Sequence, residues 1–226
     1  METRFQQELN QLKEHLLRMA GLAERAISNA IEALVKRDTP LAEKMIAEDE
    51  QINEMELLID EWCLKLLALH QPMAADLRFI TSAMRINTEL ERIGDLSVNI
   101  AERVLSLNQE PQLKPYIDIP RMAEITKSMV TDVLDAFVKG DAQLARSVCE
   151  RDDQVDGLND QVFRELLTYM ISDPKTITRA VHLIIVSRCL ERIADHTTNI
   201  AEGVIFMVKA VVIKHHADVK GKEEKK

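Results

Sequence analysis

The chain has 226 residues, with 29 Lys+Arg against 38 Asp+Glu, a formal charge of −9, and only six Gly, six Pro, one Trp, two Tyr and five Phe. Hydrophobic residues make up 46% and charged residues 30%, too apolar for a disordered chain and too poor in Pro and Gly for a fibrous one. An all-β sandwich or barrel would need more turn residues and more β-branched and aromatic side chains. What remains is the vocabulary of long helices: Ala, Leu, Glu, Lys, Arg and Met.

Taken in chain order, Phe5, Leu9, Leu12, Leu16, Met19, Ala23, Ala26, Ala30 and Ala33 follow an unbroken 4-3 spacing, one apolar seam on a long first helix that ends at Arg37-Asp38. Thr39-Pro40 reads as an N-cap followed by Pro in the first turn. A continuous second helix is expected to run to Leu69, with Leu41, Met45, Ile52, Met55, Ile59 and Leu66 inward, before Gln71-Pro72 breaks it. The third helix is placed from Met73 to Leu107, with Ile86, Leu90, Ile93, Ser97, Ile100 and Val104 on its core stripe.

Residues 108–120 hold three of the six prolines and form the one linker. A fourth helix is expected from Arg121 to Lys139, closed by Gly140, and Asp141 then caps a fifth that runs to Ile171. Asp173-Pro174 repeats the cap-plus-Pro signal, and a sixth helix continues to Ile213.

The two halves match in register. Ala33-Leu-Val-Lys-Arg-Asp38 corresponds to Ala136-Phe-Val-Lys-Gly-Asp141 at an offset of 103, which also pairs Asp49 with Asp152 and Ile52 with Val155. After a shorter second loop the offset becomes 100, and Leu90-Glu-Arg-Ile-Gly-Asp95 meets Leu190-Glu-Arg-Ile-Ala-Asp195. Asn99-Ile-Ala-Glu102 likewise meets Asn199-Ile-Ala-Glu202. The expectation is an all-α protein of two tandem, pseudo-symmetric three-helix bundles, six long antiparallel helices in all. The first repeat would cover 1–110, the second 111–213, and 214–226 would be a flexible basic tail. That tail holds five Lys against Asp218, Glu223 and Glu224, so it contributes +2 and leaves −11 on residues 1–213.

Nucleic acid is disfavoured as a partner, because no clustered basic surface is evident. Cys63, Cys149 and Cys189 are odd in number, widely spaced and set among apolar residues, which suits buried free thiols in a reducing compartment. The N-terminus lacks the apolar core of a signal peptide, and the most apolar stretch, 203–213, is interrupted by Lys209 and too short to span a bilayer. A cytoplasmic protein is expected, one that meets a membrane only through a partner.

The duplicated helices carry an unusual polar stripe. Glu91, Asp95, Asn99 and Glu102 line up beside the apolar seam of the third helix, and Glu191, Asp195, Asn199 and Glu202 do so on the sixth. Acids four apart on a helix repel, at a cost of about 0.2–0.5 kcal/mol per pair. Asp49 and Asn53 on the second helix, and Asp152 and Asp156 on the fifth, sit beside core positions where they can face those stripes. Oxygen-rich clusters of this kind suit Mg²⁺, Ca²⁺, Mn²⁺, iron or Zn²⁺. Salt bridges from the adjacent Arg92 and Arg192 are the plainer alternative. His196 has Leu96 as its repeat counterpart and reads as a hydrogen-bonding residue; His15, His70, His182, His215 and His216 show no ligand spacing. The Glu-x-x-His motif of di-iron bundles is missing, as are P-loop, G-x-G-x-x-G and G-x-S-x-G motifs, so no catalytic residues are assigned.

With these motifs in view, the chain resembles the PhoU family of phosphate-specific transport system accessory proteins across residues 5–213, most specifically in the two Leu-Glu-Arg-Ile-Gly/Ala-Asp motifs, the two Asn-Ile-Ala-Glu motifs and Gln71-Pro-Met-Ala-Ala-Asp-Leu-Arg78. The resemblance implies two symmetric three-helix bundles with multinuclear iron or zinc bound through Glu/Asp-x-x-x-Asp motifs. By position these would be Asp49, Glu91 and Asp95 in the first half, with Asn53 where the second has Asp156, and Asp152, Asp156, Glu191 and Asp195 in the second. Asn99, Glu102, Asn199 and Glu202 would be outer-shell groups. The resemblance also implies a dimeric negative regulator of phosphate uptake and signalling, which acts through the Pst ABC transporter's ATPase subunit and the PhoR sensor histidine kinase. A carboxylate-bridged metalloenzyme and a metal-free helical scaffold are the competing readings.

Overall fold

The computed structural model describes residues 3–211, and within them every regular element is helical: α1 (Arg4–Lys36), α2 (Thr39–Glu48), α3 (Glu50–His70), α4 (Ala74–Leu107), α5 (Asp118–Lys139), α6 (Ala142–Cys149), α7 (Asp152–Ser172), a 3₁₀ turn (Pro174–Thr176) and α8 (Ile177–Lys209). The tail expected at 214–226, and the last residues expected in the sixth helix, lie outside the described residues. The seam of α1 is buried at Leu9, Leu12, Leu16, Met19, Ala23, Ala30 and Ala33, and widened by Ala20, Ile27, Ile31 and Leu34. Phe5 and Ala26 pack at its edge.

The expected second and fifth helices are each two helices. The chain breaks at Asp49 between α2 and α3, and at Glu150-Arg151 between α6 and α7. Neither break contains Gly or Pro. Each places acids where a helix dipole welcomes them: Glu50 in the first turn of α3, Asp152 and Asp153 in the first turn of α7. The cap of α2 also differs from the expectation. Asp38, not Thr39, is the N-cap, and its carboxylate accepts from the Leu41 N–H at 3.0 Å. Thr39 is then the first helical residue, and its hydroxyl accepts from Asn108 Nδ2. Gly140 (φ 63°) and Asp141 close α5 and cap α6 as expected.

Within each repeat the long helices pack on one another, α1 with α3 and α4, and α5 with α7 and α8. The repeats are fused chiefly along α4 and α8, with α1 against α5 as the second contact. The α4–α8 seam is antiparallel and in strict register. Arg78 donates to the Met207 carbonyl, Ser82 to the Gly203 carbonyl, and Glu89 accepts from His196, each step down α4 matched by an equal step back along α8. The repeat offset maps this seam onto itself, so the mate of the Glu89–His196 pair is Cys189 with Leu96, both buried. One polar pin thus joins the halves where symmetry would place two apolar groups.

The glutamate–histidine contact is short, 2.6 Å, and Asn199 Nδ2 adds a second donor to Glu89 at 3.2 Å. Burial raises the Glu89 carboxyl, but the hydrogen bonds from His196 and Asn199 outweigh it and hold the group below its usual range. We expect His196→Leu to cost about 1–3 kcal/mol, because the half-buried Glu89 loses its shortest hydrogen-bond partner. Adding Glu89→Cys, which recreates the apolar mate, should recover most of the loss in denaturant unfolding. An unchanged midpoint for the single variant would show that the pin contributes nothing.

Candidate metal centre

The breaks decide where the acids go. Asp49, at the kink between α2 and α3, turns its carboxylate to α4: a Cβ placed on Gly94 would lie 3.3 Å from Asp49 Oδ1 and 2.9 Å from Ile52 Cδ1. Glycine lets the Asp49 and Ile52 side chains come this close to α4 without shifting, where the second repeat has Ala194. Asp95, the next residue of α4, lies near Asp49 and one turn from Glu91, and α3 adds Glu56, whose carboxyl feels Asp60 and Asp95. Asn53 lies beside Asp49 and hydrogen-bonds it.

The electrostatics are those of crowded like charges. Burial first, then Asp95, push the Asp49 carboxyl above its ordinary range, and the Asn53 hydrogen bond offsets only part of this. Glu91 is raised by burial, then by Asp95, Glu56 and Asp49, against Arg92. Glu56 is raised by burial, Asp60 and Asp95. In the second repeat, burial followed by Asp195 and Asp156 raises Glu191, against Arg188 and Arg192. Asp152 is 6% exposed at the start of α7; with Glu202 it helps raise the neighbouring Cys149 thiol to about 11, after burial. Arg92 and Arg192 lie close enough to soften these fields, but neither forms an ion pair with a described carboxylate within 4.0 Å.

Sequence reasoning missed Glu56, because its repeat counterpart is Asn159, which instead accepts a hydrogen bond from Ser187. Asn53 with Glu56, and Asp156 with Asn159, exchange acid and amide one turn apart. The first repeat therefore keeps its acid count at this seam. The four residues read as outer shell divide. Asn99 donates to the Asp95 carbonyl of its own helix, Asn199 to Glu89, and Glu102 pairs with Arg103. Glu202 alone lies near the Cys149 thiol that Asp152 also acts on.

A notch of about 190 Å³ opens beside Asp49, lined by Arg25, Asn29, Glu48 and Gln51. The corresponding corner of the second repeat is tied by Arg151 to Asp132 at 2.7 Å and to Ser128 at 3.0 Å. Among the described residues, no three His, Cys, Asp or Glu side chains converge closely enough to hold a metal ion. The donors are all oxygen, chemistry that fits hard and borderline cations, but they are strung along the seam in pairs and do not form a closed cage. The three cysteines are buried and free, and stand apart from a thiolate site.

Comparison with known proteins follows the same two-part division. The PhoU domain model matches residues 16–104 and again 119–204. A phosphate-specific transport system accessory protein PhoU homolog of Aquifex aeolicus is 46% identical over 215 residues, 95% of this chain and 97% of that protein. The crystal structure of PhoU from Pseudomonas aeruginosa superposes with a TM-score of 0.89 at 42% identity, covering 92% of this chain and all of that one. The phosphate transport system regulatory protein PhoU from Streptococcus pneumoniae gives 0.88 at 31% identity, over 94% of this chain and all of that one.

The crowded acids predict a trade. A raised carboxyl binds its proton more tightly in the folded protein, so metal-free stability rises as pH falls from neutral toward the ordinary values of 3.8 for Asp49 and 4.5 for Glu91. Asp95→Asn should therefore stabilise the metal-free protein at pH 7 by at least the about 0.2–0.5 kcal/mol of one like-charged pair. That gain should shrink as pH approaches 4.5 in paired thermal melts. A loss of stability at pH 7 would show that Asp95 is a structural group.

Proposed function

The chain belongs to the PhoU family, and we propose on that basis that it is a negative regulator of phosphate uptake and phosphate-starvation signalling, a metal-binding adaptor and not a catalyst. The observation that carries this reading is similarity through both repeats, at 46% identity over nearly the whole length of a relative named as a transport accessory protein. The relatives are named as accessory and regulatory proteins, not as enzymes. No described helix is long and apolar enough to cross a membrane. In this reading the protein works in the cytoplasm as a homodimer and reaches the membrane through two partners, the ATPase subunit of the Pst phosphate transporter and the PhoR sensor histidine kinase.

The metal part of the proposal is supported by the acid stripes. Asp49, Asn53, Glu56, Glu91 and Asp95 would hold cations in the first repeat, and Asp152, Asp156, Glu191 and Asp195 in the second. The ions would be iron or zinc in multinuclear arrays, each held by a pair of carboxylates along the seam. When bound, the metal would supply the positive charge that these raised carboxyls lack. What the protein's own residues do is hold the carboxylates together at a cost, so that the seam's charge and rigidity depend on whether the cation is present.

Affinity capture from cells grown with plentiful or scarce phosphate tests the regulatory reading. Enrichment of the transporter ATPase and the kinase, stronger when phosphate is plentiful, is the expected result. No enrichment of either under both conditions would overturn it.

A further inference from the structure

The duplication supplies an internal control for the far end of the molecule. In the first repeat, Arg37 closes the corner where α1 ends against α4. It adopts φ 56° at the C-cap, and its guanidinium donates to the carbonyls of Leu107, Asn108 and Glu110 at 3.2, 3.1 and 2.6 Å. In the second repeat its counterpart is Gly140, with the same backbone (φ 63°), no side chain, and its would-be Cβ 3.9 Å from Val208. The corner is left open as a cavity of about 730 Å³. Two further exchanges change its charge: Glu43 in the first repeat is Arg146 in the second, and Gln109 is Lys209. Lys139 also lines it, as do Ile205 and Val208.

The lining thus brings three cations against a single carboxylate, on a protein whose formal charge is −9. That carboxylate, Asp141, is committed to the N–H groups of Gln143 and Leu144. Lys139 is paired with Asp135 at 2.6 Å, as Lys36 is with Glu32. Arg146 and Lys209 make no hydrogen bond or ion pair with any described side chain. The carbonyls of Phe206 and Met207 at the end of α8 already accept from the Ala210 N–H and from Arg78, so they do not claim these cations. A guanidinium and an ammonium both line a space of ligand size, with an apolar wall along one side.

We propose that this cavity binds a small soluble anion bearing a diphosphate or phosphate ester, with Arg146 and Lys209 on the phosphoryl oxygens and Ile205 and Val208 against the organic body. The site is separate from the acid stripes and independent of cation binding there. Arg146 gives paired donors to a phosphoryl group and Lys209 a point charge. Affinity should fall steeply with salt, because the attraction is between exposed charges.

The test is calorimetric titration of the full chain with pyrophosphate and with ADP at low ionic strength. Wild type should bind at least one of them. Arg146→Glu with Lys209→Gln restores the first repeat's residues at two exposed positions, and should weaken binding at least tenfold with an unchanged melting temperature. Gly140→Arg, which refills the corner with the residue that the same backbone carries at position 37, should also block binding. No wild-type binding of either anion at millimolar concentration, or equal binding by the double variant, would overturn the proposal. So would co-sedimentation with phosphatidylglycerol vesicles that the double variant loses while neither soluble anion binds, since the surface would then serve a membrane.

Discussion

The antiparallel seam of α4 on α8 is the constraint on which the rest of the molecule depends. It includes a small contact toward one end, Ser82 against the Gly203 carbonyl, and both helices bury small residues, Ala83, Ser97, Ala194 and Ala201, that allow close packing. Close packing fixes the register, and register fixes the symmetry. Every group on α4 acquires a mate on α8 at an offset of 100, and the flanking helices of each repeat follow. Large aliphatic residues such as Ile86, Leu90, Ile93 and Ile100 then fill the space between the seam and the outer helices, each fully buried or nearly so. At about 1.5–3 kcal/mol per buried side chain, these are the residues that hold the fold.

With the hydrophobic stripe committed to the seam, the next position around each helix can carry a function at a tolerable cost. That is where the acids stand. Glu91 and Asp95, and Glu191 and Asp195, are repeated like-charged pairs in a half-buried setting, and the kinks at Asp49 and at Glu150-Arg151 bring further carboxylates toward them. A helix optimised only for stability would place Lys or Arg four residues from Glu91. Gly94 makes the same point on the steric side, since a weak helix former is used where the kink needs room.

Most of the architecture was legible in the sequence, because helix seams are local and the duplication repeats them. The 4-3 spacing of Leu9, Leu12, Leu16 and Met19 specifies one face of α1 without reference to any other element. The kinks were not legible: Glu48-Asp49-Glu50 and Glu150-Arg151-Asp152 contain no residue that forces a break, and the interruption follows from packing against α4 and α8. Of the site, the duplicated acids announced themselves by register. Glu56 did not, since its repeat mate is an asparagine. The Glu89–His196 pin was half legible, as a histidine with an apolar counterpart, but its partner lies more than a hundred residues away and only the seam's register supplies it. Gly140 is legible as the residue that closes its helix and Arg37 as a helix end, but the carbonyls that Arg37 grips lie at and just past the end of α4, about seventy residues on.

The two repeats share one plan and differ in what each corner was left to do. One notch is tied by Arg151 and Asp132 where the other stays open beside Asp49, and one corner is filled by Arg37 where the other is an open cationic cavity. In the function proposed above, the acid stripes are cation sites, one in each repeat. Metal analysis of protein purified without chelator, for the native chain and for Asp95→Ala and Asp195→Ala, tests it most directly. The account predicts bound iron or zinc in the native chain, a partial loss in each single variant and nearly complete loss in the double. Metal content unchanged by both substitutions would contradict it.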